Sequence, residues 1–185
     1  MDLHMTLITV EGIAWLAWFL YWRVAARDVQ QTEWRESNFS RLTHRLPLVV
    51  AVILLLVGKA WLGPLQIRLL PSGRLYAWTG VLITVLGLAL AVWARSHLGR
   101  NWSASVELKQ SHSLVRTGPY RIMRHPIYVG LLTAVLGTSI TRGDIRGLLA
   151  FLLVLVALLV KSRRENALLR DYFGDEYESY SRDLK

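Results

Sequence analysis

Two short stretches carry residue types whose spacing can do chemistry. The first runs from His112 to Gly130. Gly118-Pro119 within it is a turn signal, and Arg124-His125-Pro126 then opens an apolar run, with Pro126 where a first-turn proline is tolerated. The free N–H groups and positive end of the helix that starts there fall close to His125, and such an end favours a carboxylate ligand. The second stretch is Lys161 to Leu169. Lys161 and Glu165 are four apart and share one helix face. A carboxylate there can accept hydrogen bonds from sugar hydroxyls or neutralise a cation, and a lysine can hold an anionic group. Bland readings stand beside these. His125 alone could be an interfacial histidine, Tyr120 and Tyr128 belt aromatics, and Glu165 with Lys161 an exposed ion pair contributing little.

The elements that must position these residues are apolar blocks. The chain is 53% hydrophobic with mean hydropathy +0.32, above a typical soluble domain. Leu7–Val24, Leu46–Leu62 and Leu75–Ala94 are each near the length that crosses a hydrocarbon core of about 30 Å. Ile127–Ile140 and Leu148–Val160 are shorter and are separated by the polar turn Thr141 to Asp144. They read as an antiparallel helical hairpin that crosses the membrane. A re-entrant hairpin is the alternative, and it would hold Arg142 and Asp144 at depth, at about 2.5 kcal/mol or more each. The last block is expected to stay helical past Val160, because no breaker precedes Gly174. The polar stretch from Asp28 to Arg45 reads as a loop or short surface helix. Lys59 can snorkel, and Glu11, an odd charge in the first block, is expected to be solvated near the outer surface.

Eight Trp and seven Tyr suit the interfacial belts. The net charge of +9 could point to nucleic acid, but the basic residues lie between apolar blocks, which favours a membrane and no nucleic-acid partner. Arginines crowd the first loop, the loop between the third and fourth blocks, and the tail. Arg68, Arg74, Arg142 and Arg146 fall on the opposite side. By the positive-inside rule this gives five spans, an external N-terminus and a cytosolic C-terminus. The expected fold is thus an all-α integral membrane protein of about five transmembrane helices, with a cytosolic C-terminal cofactor-binding region. It is read as one membrane domain, 1–185, with three helices and loops in 1–94 and the catalytic region in 95–185. In a bacterium it would lie in the inner membrane. Cys is absent, which removes disulfides and thiolate metal sites. No cleavable signal peptide is evident.

Four motifs in order carry a family resemblance. They are His112-x-Leu114-Val115-x-x-Gly118-x-Tyr120, then Arg124-His125-Pro126-x-Tyr128-x-Gly130, then Lys161 and Glu165, then Phe173-Gly174-Asp175-Glu176-Tyr177-x-x-Tyr180. Together they resemble the isoprenylcysteine carboxyl methyltransferase family, whose broad architecture also includes phospholipid N-methyltransferases. The resemblance is specific from about Trp93 to Tyr180. It implies a membrane-embedded enzyme that moves a methyl group from S-adenosylmethionine to a lipophilic or lipid-modified acceptor entering from the bilayer. The implied cofactor contacts are His112, Ser113, Leu114, Val115, Tyr120, His125, Pro126, Ile127, Tyr128 and Glu165, with one more near Ser105 to Glu107. His125 and Glu165 are the implied catalytic pair, and Arg124 and Lys161 the implied substrate contacts. The family's substrate-orienting arginine falls on Lys161, a departure, because lysine lacks the bidentate fork. Arg163 or Arg164 could substitute.

Methyl transfer from a sulfonium requires no metal, and positioning can supply about 7–11 kcal/mol of the barrier reduction. A carboxylate acceptor needs no base. An amine acceptor would need one, with His125, His112 and Glu165 as candidates. Alternatives are phospholipid (ethanolamine) N-methylation, a non-catalytic membrane scaffold, and an NADPH-dependent lipid reductase.

Overall fold

The computed structural model describes residues 3–56, 63–110 and 113–184. Among these residues the chain forms six α-helices: α1 (Leu3–Ala25), α2 (Asn38–Leu56), α3 (Arg74–Leu98), α4 (Pro126–Arg142), α5 (Ile145–Phe173) and α6 (Asp175–Asp183). Helices α1, α2, α3 and α5 are long and apolar enough to cross a membrane. Helix α4 has 17 residues, about 26 Å at 1.5 Å per residue. The structure therefore supplies four spanning candidates by length and composition, where the hydropathy blocks suggest five. Large apolar side chains point outward along these helices, Ile13, Leu56, Leu75 and Leu82 among them. Such a surface suits lipid, because helices satisfy their own backbone groups.

Small residues decide how α3 and α4 meet. Gly80, Thr84, Gly87, Ala91 and Ala94 form a stripe on α3, and Gly130, Ala134, Gly137 and Thr141 form its counterpart on α4; all are buried. The spacing alternates four and three residues, one face of a helix. With no bulk between them the two backbones nearly touch. A Cβ at Gly130 would lie 2.7 Å from the Ala91 backbone nitrogen, and one at Gly137 would lie 2.5 Å from the Gly80 carbonyl. Close approach through small residues is how helices associate in lipid, where no hydrophobic force drives them together. This contact fixes the start of α4, and with it the Arg124–Tyr128 corner.

Helix α5 is capped by Asp144, whose carboxylate accepts from the Gly147 N–H at 3.1 Å and pairs with Arg146 at 2.6 Å. It runs unbroken to Gly174, whose φ of 52° suits a residue without Cβ. The α4–α5 pair is a tight antiparallel hairpin, turned at Gly143. Helix α2 packs along α5, around Ala51, Val135, Ala150, Val154 and Leu158.

Three sequence expectations need correction. The stretch from Asp28 to Arg45 is neither a plain loop nor a separate surface helix. Thr32–Arg35 forms a strand, β1, antiparallel to β2 (Glu107–Lys109), a short ribbon within the all-helical fold. Helix α2 then starts at Asn38, ahead of its apolar block, and carries Pro47 inside it. Glu11 is buried, not solvated: it accepts hydrogen bonds from Thr84 at 2.8 Å and Thr141 at 3.4 Å. Those hydroxyls come from the small-residue stripes, which hydropathy does not register. Lys59 and the end of the second apolar block lie outside the described residues.

Candidate active site

The first wall of the site is the chain between α3 and α4. Gly118 has φ 57°, and a Cβ there would lie 2.5 Å from His97 Nε2, so only glycine turns at this point. A single 3₁₀ turn, Gly118–Arg121, follows, and it buries Pro119 and Tyr120. Tyr120 packs with Ala94 and Ile127, and its carbonyl accepts a hydrogen bond from the Tyr180 hydroxyl at 2.8 Å. His125 is the N-cap of α4 and Pro126 its first residue, as the motif predicts.

The second wall is the polar end of α5. The Tyr128 hydroxyl donates to Glu165 Oε1 at 2.6 Å, and His125 Nδ1 lies 3.6 Å from Glu165 Oε2. The His125 and Tyr128 rings stack in parallel, 5.2 Å between centroids. His125 Nε2 donates to Asn166 Oδ1 at 2.7 Å, and the same oxygen accepts from the Tyr177 hydroxyl at 2.6 Å. A neutral His125 held this way turns its Nδ1 lone pair toward Glu165. Two acceptors then stand side by side, ready for a ligand's N–H or O–H groups.

Corner and helix end face one cleft that opens to solvent. Tyr120, Arg124, His125, Ile127, Tyr128 and Glu165 all line it. Among the other implied residues, Pro126 is fully buried behind the corner, and Val115 packs beneath Tyr120 and Ile127. Leu114 is half-buried, and exposed Ser113 accepts from Asn101 Nδ2 at 3.0 Å. None of these four lines the cleft. His112 lies outside the described residues. Lys161 is buried behind the wall, donating to the Ala104 carbonyl at 3.0 Å, 3.7 Å from Glu165 and over the Tyr128 ring at 5.3 Å. Arg164 reaches away, to Ser40 and Thr43 on α2.

Motif reasoning missed Trp102, Asn101, Ser103, Leu98, Leu168 and Leu169, which complete the lining. It also missed Asn166, which joins the corner to α6. Glu107 lines the cleft as well, inside the range where the resemblance implied one further contact. The apolar residues at 168 and 169, one turn beyond Glu165, were the available signal, since a carboxylate-bearing helix face must continue with something.

The electrostatics suit a polar ligand. Burial pushes the His125 imidazole below its ordinary value; Glu165 and the Asn166 hydrogen bond oppose this, while Arg124 and Lys161 reinforce it. His125 is thus neutral at neutral pH. Burial, and then the Glu165 charge, push the Tyr120 phenol well above its ordinary range, so it stays protonated. Burial alone would raise the Glu107 carboxyl, but hydrogen bonds from Lys109 and Thr32 and the charges of Lys109 and Arg35 hold it below the usual carboxylate range.

Residues 75–176 match the family model described as phospholipid methyltransferase. The chain belongs to that family. The match covers α3 through the start of α6, the elements that build the cleft. Similar proteins include protein-S-isoprenylcysteine O-methyltransferases. That of Schizosaccharomyces pombe is 38% identical over 98 residues, 51% of this chain and 42% of its own. That of Mus musculus is 30% identical over 148 residues, 76% of this chain and 50% of its own. The B form of Arabidopsis thaliana is 28% identical over 122 residues, 63% of this chain and 62% of its own. These relatives agree with the resemblance read from the motifs. The chain spans about half the length of the curated relatives it matches.

Proposed function

We propose that this chain is a membrane-embedded methyltransferase that transfers a methyl group from S-adenosylmethionine to the carboxylate of a lipophilic acceptor, in the manner of isoprenylcysteine O-methylation. The observation that carries this reading is the convergence of the Arg124–Tyr128 corner and the end of α5 on one cleft, where His125 Nδ1 and Glu165 stand 3.6 Å apart.

The residues present fit this cofactor. It combines an ammonium, a carboxylate, a sulfonium, a ribose and a flat base. The paired acceptors of His125 and Glu165 suit the ammonium or the ribose hydroxyls. Arg124 suits the carboxylate. Trp102, Tyr120 and Tyr128 supply aromatic faces for the base or, by cation–π attraction, for a positive centre. When bound, the cofactor supplies an already activated methyl group. The protein's own work is then to position and to exclude water. Tyr128 holds Glu165 in place, Asn166 sets the His125 tautomer, and Leu168, Leu169 and Ile127 keep the cleft floor dry. A carboxylate acceptor arrives ionised, so no side chain need remove a proton from it.

The same reading takes α4 as a fifth span, puts the N-terminus outside and the C-terminus in the cytosol, and treats 1–94 and 95–185 as parts of one membrane unit. The charge split between the loops supports the orientation. The contacts of α1 with α3 and of α2 with α5 support the single unit.

Isothermal titration of the detergent-purified chain with S-adenosylmethionine and its demethylated product tests the cofactor assignment. Saturable binding that His125→Ala and Glu165→Ala weaken is expected; no heat at millimolar cofactor ends the proposal. Labelled cofactor offered with an S-prenylated cysteine or with phosphatidylethanolamine vesicles then identifies the acceptor, and label on the amine lipid alone would replace O-methylation by N-methylation.

A further inference from the structure

We propose that a second, basic pocket beside the cleft holds the anionic group of the methyl acceptor, a role the family resemblance would give to Lys161. This rests on the methyltransferase reading and extends it to how this chain recognises its acceptor.

The pocket, open to solvent, lies between the first turns of α2, the β1–β2 ribbon and the loop at 102–105. Its charged lining is Arg35, Arg41, Arg45 and Lys109 against a single carboxylate, Glu107. Glu107 is already engaged, by Arg35 at 2.8 Å and Lys109 at 3.0 Å. Arg41 and Arg45 meet no carboxylate among the described residues. Arg45 donates to the neutral Ser105 hydroxyl at 2.6 Å. Arg41 reaches Asn38, and its Nε is buried with no hydrogen-bond partner in the protein. The two arginines are four apart on α2 and so share a face. A pair of guanidinium forks with only neutral partners is a seat for a carboxylate or phosphate.

Three features make the methyl acceptor the occupant. Trp102, Ser103 and Glu107 line both pockets, so the basic pocket and the cleft share a wall. On α2, next to Arg41 and Arg45, the exposed Phe39, Leu42, Leu46 and Val49 offer an apolar track for a lipid tail. Lys161, in contrast, is only 7% exposed and is engaged by the Ala104 carbonyl, Glu165 and the Tyr128 ring. It lines neither pocket. The ligand class is therefore an amphiphile with a carboxylate or phosphate head and an apolar tail.

The test uses the full chain in non-ionic detergent, an S-prenylated cysteine as acid probe and its methyl ester as the uncharged match. Direct titration should show that wild type prefers the acid. The double variant Arg41→Gln/Arg45→Gln should weaken acid binding on the order of tenfold, as expected for lost charge-assisted hydrogen bonds. Ester and S-adenosylmethionine affinities should stay unchanged, which also shows that the variant is folded. Arg41→Lys/Arg45→Lys should recover part of the loss. Equal affinity of wild type for acid and ester, or an unchanged acid affinity in the double variant, overturns the proposal. So does a loss confined to Lys161→Gln. Phosphatidylglycerol micelles form the lipid arm: if the double variant loses these and keeps the acid, the pocket is a seat for bulk lipid phosphate and the acceptor assignment falls. The acid–ester comparison needs no cofactor. Failure to bind S-adenosylmethionine would sink the methyltransferase reading, whereas intact transfer with unaltered acid recognition would sink only this one.

Discussion

Asn166→Ala is the sharpest test of how the site is held. One oxygen, Asn166 Oδ1, accepts from His125 Nε2 at 2.7 Å and from the Tyr177 hydroxyl at 2.6 Å. It ties together the corner, α5 and α6. Removing it leaves two donors without a partner, and a buried unsatisfied donor costs about 1–3 kcal/mol. Tyr177 is 1% exposed and takes most of that penalty. His125 is partly exposed and can recruit water, so its share falls at the low end. The total is about 2–4 kcal/mol. Only part of it reaches the ligand, through a His125 ring free to change tautomer and turn. Loss of a fixed Nδ1 acceptor should weaken cofactor binding by about tenfold, equivalent to 1.4 kcal/mol. Thermal unfolding in detergent reads the first quantity and isothermal titration the second. Asn166→Asp keeps the acceptor and should retain the fold, while its charge draws a proton onto His125. If Asn166→Ala unfolds like wild type and binds the cofactor equally well, the bridging role assigned to Asn166 is wrong.

Other outcomes follow from packing and protonation. Gly137→Val would drive a branched side chain into the α3 backbone, and should cost at least about 3 kcal/mol. Gly12→Ala, on the open face of α1 with nothing within 4 Å, should leave the unfolding temperature unchanged or slightly higher, and paired melting curves compare the two. Burial lowers His125 below its ordinary value, so the unfolded chain takes up that proton first as pH falls. Stability should therefore hold above about pH 6.5 and decline below it. His125→Gln should show a shallower decline when the two are melted between pH 5 and 8, and identical slopes would refute the assignment.

How far the sequence could be read follows from the range of each signal. Turn and cap chemistry is local, so Pro126 at the start of α4 and Gly174 at the end of α5 are placed by their own types. Hydropathy is nearly as local and finds the blocks, but it sees neither the helical turns ahead of Leu46 nor the ribbon that pairs Trp34 with Leu108. The 17-residue α4 shows the same limit. Its position depends less on its own hydropathy than on glycines that match those of α3, a relation between two segments that no single window contains.

The site divides along the same line. His125, Tyr128 and Glu165 are legible because each sits in a motif, and they converge on the cleft. Asn166 is adjacent in sequence to Glu165 and yet was passed over, since its importance lies in partners 41 and 11 residues away. Lys161 is the instructive case. By position in the motif it reads as an anion contact, but a lysine with only 7% exposure needs its own acceptors, and Ala104 and Glu165 supply them from inside the protein. A charge committed in this way is not available to a ligand. The guanidinium groups of Arg41 and Arg45, left with neutral neighbours at the mouth of the adjoining pocket, are.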